Sequence, residues 1–535
     1  MKSLLLLFLF CLFAESVFSA NYYVSTNGND NNSGSKQSPF RTIQKSANVV
    51  EEGDSVFVLG GTYNEIVRLT KSGKETKPIV FIGEANKTII DANNINDKYN
   101  GIFQIEGISW IEIHNFFLKN SSDQGFYIDH SSDITLKNNK TLNTYSSGIG
   151  CWGCKSILID SNEVELACNG GPQECISIAD CENFLVRYNK VHNSNNGALG
   201  GEGIDAKDGS QNGIIHNNTV FNLARLGIYI DAWDKYTSNI QVYNNIIYNC
   251  PDGIVLASEM GGILENIWVF NNLTFKNKFV GINISSNGDD PNVKIKPIKN
   301  IYVINNTSCY NGETWGGGIA IGNPDADNIF IRNNLCSFNH SFQICYEGRS
   351  SKGLFFENNL VYPFMNYPEE TRGEQYVESD PLFFNHSVDD YRLSEDSPAI
   401  DKGSSNQAPR FDFLGNRRPM GKAIDIGAFE YYIESSIFEN ILSDNSIVAY
   451  PIPCSDYLNF LINDEKPDKT NSFKIEIFDI LGNPIISFNI NDFQYNYISD
   501  LVNLRIPVTE LSSGIYFYRI SLSEEFITGK MSVLR

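Results

Sequence analysis

One short pattern, apolar residues alternating with small or polar ones and often preceded by glycine, recurs at Ile102, Phe126, Ile149, Ile176, Ile204, Ile228, Ile254, Ile282, Ile319 and Ile344. The spacings between copies are 24, 23, 27, 28, 24, 26, 28, 37 and 25 residues. A unit of this length cannot bury its apolar face alone and must stack on copies of itself. The period suits one coil of a β-solenoid and is too short for a repeat of two long helices.

A second strand ending in asparagine follows the copies. It reads Ile111-Glu-Ile-His-Asn115, Ile214-Ile-His-Asn-Asn218, Ile240-Gln-Val-Tyr-Asn-Asn245, Ile267-Trp-Val-Phe-Asn-Asn272, Ile301-Tyr-Val-Ile-Asn-Asn306, Ile329-Phe-Ile-Arg-Asn-Asn334 and Leu354-Phe-Phe-Glu-Asn-Asn359. Asparagine tolerates the left-handed conformation of a sharp corner, and stacked side-chain amides bond from coil to coil. The two patterns together predict an all-β chain whose centre, residues 101–362, is a right-handed parallel β-helix of about ten or more coils.

Side chains alternate along a strand, so aligning the copies separates two faces. Positions matching Ile204 and Ala206 are apolar in nearly every copy and form the predicted core. Positions matching Asp205 and Lys207 point outward and carry Tyr127, Asp129, Ser177, Tyr229, Asp231, Asn283, Ser285 and Glu347. This polar stripe is the candidate groove. Coils stack about 4.8 Å apart, which predicts Lys207 beside Asp231, with Asp205 diagonal to it and Tyr229 stacked on Asp205. Asp208, Trp233 and Asp234 lie just beyond these strands, Glu174 and Glu202 at matching strand entries, and Glu259 after the following strand. Tyr229 and Trp233 have faces that can stack on sugar rings. The long interval between Ile282 and Ile319 predicts a large loop that would shape what the groove accepts.

The flanks complete the plan. Residues 1–20 have the charged, apolar and small-residue order of a secretory signal peptide, too short for a membrane span. Residues 21–100 hold an N-terminal cap and the first coils, with Ser38-Pro39 through Ala47 reading as a short helix capped by serine. Residues 363–432 are expected to cap the other end, 433–445 to be a linker, and 446–535 to form a small β-sandwich of short strands broken by turns. The net charge of −22 argues against nucleic acid as a partner. Ten cysteines lie outside the signal peptide and would permit disulfides after export. The chain is expected to have no transmembrane segment and to act as a monomer.

The tail resembles the C-terminal sorting domain of the type IX secretion system through Tyr450-Pro-Ile-Pro453, Phe478-Asp-Ile-Leu-Gly482, Leu511-Ser-Ser-Gly-Ile-Tyr516 and Lys530-Met-Ser-Val-Leu-Arg535. That resemblance implies export across an outer membrane by the type IX machinery of a Bacteroidetes-like bacterium, with release or attachment at the cell surface. Across residues 20–430 the coils and groove resemble the pectate-lyase-like superfamily, nearest to family 9 pectate lyases. The resemblance implies a polysaccharide substrate containing uronate and a Ca2+ cofactor. It further implies Asp205, Asp208, Asp231 and Asp234 as calcium ligands and Lys207 as the base of a β-elimination, with Arg225 as a possible substitute. Arg225 and Glu202 would meet the substrate beside Tyr229 and Trp233. The sequence departs from the family where Arg225-Leu226 precedes Gly227 in place of an acidic pair. Two other readings use the same groove: glycoside hydrolysis by paired carboxylates drawn from Asp205, Asp231 and Glu259, and glycan binding without catalysis.

Overall fold

The computed structural model describes residues 19–95, 98–194, 200–286, 288, 290, 292–346, 352–431 and 447–533, apart from 451–456, 463–472, 480–482, 490–493, 499–500, 509, 513 and 523–524. The signal peptide up to residue 18, Glu347 and the linker at 433–445 lie outside the described residues. The fold is the expected right-handed parallel β-helix, a solenoid of about 11 turns, followed by a small antiparallel region. It falls into two compact units: residues 1–213 with 222–225, and residues 214–221 with 226–535.

In the first unit each coil contributes parallel strands to three sheets. The inward stripe runs in register from Phe126 to Ile149, Ile176 and Ile204, all fully buried. One coil departs from the expected alignment: Phe103, not Ile102, pairs with Phe126. The two rings stack at 5.6 Å, and this packing sets the offset. The N-terminal helix spans Ile43–Val49, later than Ser38-Pro39 suggested. Thr42 is its cap, accepting from the Lys45 amide at 3.1 Å, and the Glu65 carboxylate accepts from the amides of Ile43 and Gln44, both at 2.9 Å. These bonds satisfy the free donors of the first turn.

In the second unit the stripe continues through Ile228, Ile254, Ile282, Ile319 and Ile344. The paired asparagines divide two tasks. The first of each pair, such as Asn244, Asn271, Asn305 and Asn333, takes the left-handed conformation at the corner. The second is buried, and Asn245, Asn272, Asn306 and Asn334 each donate a side-chain amide to the side-chain carbonyl of the next, ending on Asn359, at 3.0–3.1 Å along the stack. Asn306 also donates to the Val269 carbonyl at 2.9 Å and accepts from the Asn272 amide at 2.9 Å. Asn306→Ala would leave those buried groups unpaired, so we expect it to cost about 1–3 kcal/mol, read as a lowered thermal midpoint. An unchanged midpoint would show that the ladder adds nothing to stability.

Residues 363–431 pack Tyr391, Ala428 and Phe429 against Leu273, Phe275 and Cys309 of the coils. The tail has two four-stranded antiparallel sheets around a core that includes Leu458, Phe460, Ile475, Ile477 and Ile520. The nine described cysteines outside the tail are all buried thiols, free of disulfides. No helix of the described residues is long and apolar enough to cross a membrane.

Candidate functional site

Strand Ile204–Lys207 of the first unit pairs with Ile176–Ala179, which sets Asp205 beside Ser177 and Lys207 beside Ala179. Ile204 and Ala206 point into the core as alternation requires. The outward residues are not open to solvent. Asp205 is 2% exposed and Glu202 5%, so charges on the outer face of the coil are buried and need partners.

Two ion pairs supply them. The Lys207 ammonium donates to Glu174 at 2.6 Å and lies 4.0 Å from Asp205. The second Glu174 oxygen accepts from the Ser177 hydroxyl at 2.7 Å. Arg225 meets Glu202 at 2.6 Å, with its own side chain 45% exposed and that of Glu202 6%. The other Glu202 oxygen is buried without a hydrogen-bond partner. Burial, together with the charge of Glu174, pushes the Glu202 carboxyl up to about 7, against the opposing pull of Arg225 and Lys207. Burial works to lower the Lys207 ammonium, but Glu174, Asp205 and Asp208 outweigh it and raise the pKa above its ordinary value. Lys207 is therefore a stably charged group in this arrangement. The partner found for it, Glu174, comes from the turn before the preceding strand. Lys207 and Asp231 belong to different compact units, each with its own contacts.

In the second unit Asp231 is 2% exposed. One of its oxygens accepts from the amides of Trp233 at 3.0 Å and Glu259 at 3.2 Å. The Tyr229 hydroxyl donates to Glu259. Tyr229 is only 5% exposed and packs with Val255, Ala257 and Leu226 in an apolar cluster. These neighbours cover most of the side chain. Trp233 is 42% exposed, and Asp234 is also exposed. Asp252, unremarked in the sequence, is buried below the same stripe, where it accepts from the Val280 amide at 2.7 Å and the Asn283 side chain at 3.2 Å. Glu174 was also legible as a candidate, because it stands two residues before the inward Ile176 just as Glu202 stands before Ile204.

Calcium takes six to eight oxygens at about 2.3–2.6 Å. Glu174, Glu202, Asp205 and Asp208 are oxygen donors of the right chemistry. Yet Glu174 and Glu202 are already paired with Lys207 and Arg225. Among the described residues of this unit, the group with three ligand atoms within 4.8 Å of one another is Glu163, Glu165 and His192, and Lys140 meets its two glutamates at 3.3 and 2.8 Å. The arrangement of the Glu202 cluster does not fit calcium as it stands.

A family model described as Pel9A-like, right handed beta helix region, matches residues 22–288. A second, the secretion system C-terminal sorting domain, matches residues 448–534. YwoF of Bacillus subtilis (strain 168) is 26% identical over 440 residues, covering 70% of this chain and 91% of its own length. Pectate lyase PEL9 of Emericella nidulans is 26% identical over 158 residues, covering 27% of this chain and 38% of its own. The structure of XylC in complex with xylose superimposes with a TM-score of 0.51 at 10% identity, covering 76% of this chain and 98% of that one, a likeness of fold.

Proposed function

Because the chain belongs to the right-handed parallel β-helix proteins of the pectate-lyase-like superfamily and ends in a type IX sorting domain, we propose that it is a secreted enzyme cleaving a uronate-containing polysaccharide by β-elimination. The observation that carries this reading is the pair of ion pairs on the outer face of the first unit, Arg225 with Glu202 and Lys207 with Glu174. β-Elimination needs a cation at the uronate carboxylate and a base at the carbon next to it. Arg225 is the cation with an exposed flank, and its planar fork suits a carboxylate. Glu202, held near neutrality, is better poised to take a proton than Lys207.

In the proposed step Glu202 removes the C5 proton of a uronate held on Arg225. The electron pair forms the C4–C5 double bond, the C4–O bond breaks, and the leaving oxygen takes a proton from the Lys207 ammonium or from water. Asp205 and Asp208 keep Lys207 charged. In the second unit Asp231, Tyr229 and Glu259 hold the shape of their own turn. Calcium, which the family resemblance implies, would supply positive charge at the substrate carboxylate. Arg225 makes it dispensable in this reading.

One observation favours hydrolysis as a second reading. Glu202 can be protonated near pH 7 beside ionisable Glu174, which would make it a general acid. Incubating the full mature chain with pectate, alginate and neutral polysaccharides, with and without chelator, separates these readings. Products absorbing near 235 nm, undiminished by chelator, are expected. Reducing ends without that absorbance would replace elimination with hydrolysis, and loss of activity in chelator would return the carboxylate-binding role to a metal.

A further inference from the structure

A pocket of about 340 Å³ lies wholly within the second unit, on the same outward stripe but farther along the coils. This volume is near the lower end for small-molecule sites, roughly 300–1,000 Å³. Its floor is set by register: Asn283 pairs with Ala320, which pairs with Cys345. Ser285 and Ser286, just after Asn283, share the lining with the aromatic side chains of Trp315, Phe342 and Tyr367 and with Glu369.

The aromatic wall is held in place before any ligand arrives. The Trp315 indole donates to the Tyr367 hydroxyl at 3.0 Å. Its ring meets Phe342 edge-on at 5.9 Å, and Phe342 in turn packs on Tyr367 at 5.4 Å. The turn carrying Trp315 is pressed against the coil at Gly316, where φ is +130° and a Cβ would come within 2.0 Å of the Phe279 carbonyl oxygen, so only glycine fits. Despite this bracing, Trp315 remains 43% exposed. Trp315 thus lines the pocket as a part-exposed indole whose N–H is already bonded. Asn283, also in the lining, has its amide oriented by its bond to Asp252.

Among the described residues the lining includes no lysine, arginine or histidine, and Glu369 adds negative charge. Lys296, on the loop after Ser286, turns its ammonium to the carbonyls of Ser286 and Gly288 at 2.8 and 2.6 Å. An anionic sugar would meet the Glu369 carboxylate and no cationic side chain among the described lining residues. We propose that this pocket is a subsite for a neutral sugar residue, its ring stacked on Trp315 and its hydroxyls bonded to Asn283, Ser285 and Ser286. The inference rests on the carbohydrate reading and deepens it: the polysaccharide carries neutral sugars as well as uronate.

The test is calorimetric titration of the full mature chain with xylotetraose, β-1,4-galactotetraose and tetragalacturonate. At least one neutral probe should bind saturably at millimolar concentration. Trp315→Ala should weaken it about tenfold, the scale of one lost ring contact. Ala320→Phe, which fills the pocket from its floor, should do the same, with circular dichroism confirming that both variants fold. Binding of the neutral probe should be unchanged in Glu202→Gln, so failure of the elimination chemistry and failure of this subsite give different results. The proposal is overturned if neither neutral probe binds, if tetragalacturonate binds more tightly in a Trp315-dependent way, or if both pocket variants bind as wild type does.

Discussion

Glu202→Gln is expected to lower kcat/KM by about 10²–10⁴-fold, the range for loss of a general acid or base. Glutamine keeps the length of the side chain and an oxygen to accept from Arg225, so the loss would report proton transfer more than packing. The pH profile gives the sign of the role. Glu202 accepts a proton only when ionised, and its pKa is pushed up to about 7. Elimination activity should therefore be low below pH 7, rise through it and level off above. If Glu202 is instead the acid of a hydrolase, activity is present below pH 7 and lost above it. Stability supplies a control. The folded state holds the Glu202 proton up to about pH 7 while the unfolded chain releases it near 4.5, so its contribution to stability declines as pH rises through that window. At pH 8 the glutamine variant should melt no lower than wild type. A variant that retains full turnover would remove Glu202 from the chemistry.

Much of the fold was legible in the residues, and the reasons are local. Ile204 and Ala206 could be assigned inward because alternation is a property of the strand itself. The asparagine pairs could be assigned to corners because few other residues accept a left-handed backbone. Phe103 was missed by one position because its register follows ring stacking on Phe126, a contact between coils. The candidate groove was less legible for a related reason. Facing outward from a strand is not the same as facing water, and Tyr229, Asp205 and Asp231 are roofed although their strand positions point away from the core. The ion pair of Lys207 with Glu174 was not legible, because Glu174 sits in a turn that strand register does not govern. The interval between Ile282 and Ile319 was recognisably long, yet the posture of Trp315 within it depends on Gly316 and Tyr367, which the repeat pattern does not relate.

Arg418→Met is expected to destabilise the second unit by about 3–5 kcal/mol, the cost of breaking a buried ion pair from one side. The side chains of Arg418 and Glu430 are both 0% exposed. Arg418 donates to Glu430, to the Gly427 carbonyl at 2.9 Å and to the side chain of Asn271 in the asparagine corner at 3.1 Å. Glu430 accepts from the Asp425 and Met420 amides, each at 2.9 Å. Removing the guanidinium would leave Glu430 charged in a region where burial already pushes Asp425 up to about 7. The paired change Arg418→Met with Glu430→Leu should recover a large part of the loss, because it removes the stranded charge, while the lost backbone partners prevent full recovery. Thermal unfolding of the two variants beside wild type checks this, and a single variant as stable as wild type would sink it. The same cap bonds to the last coils through the Gly427 amide to the Asn333 carbonyl at 2.8 Å and the Ala428 amide to Thr307 at 3.0 Å. Loosening it should therefore expose the apolar coil residues it packs on, Leu273, Phe275 and Cys309 among them.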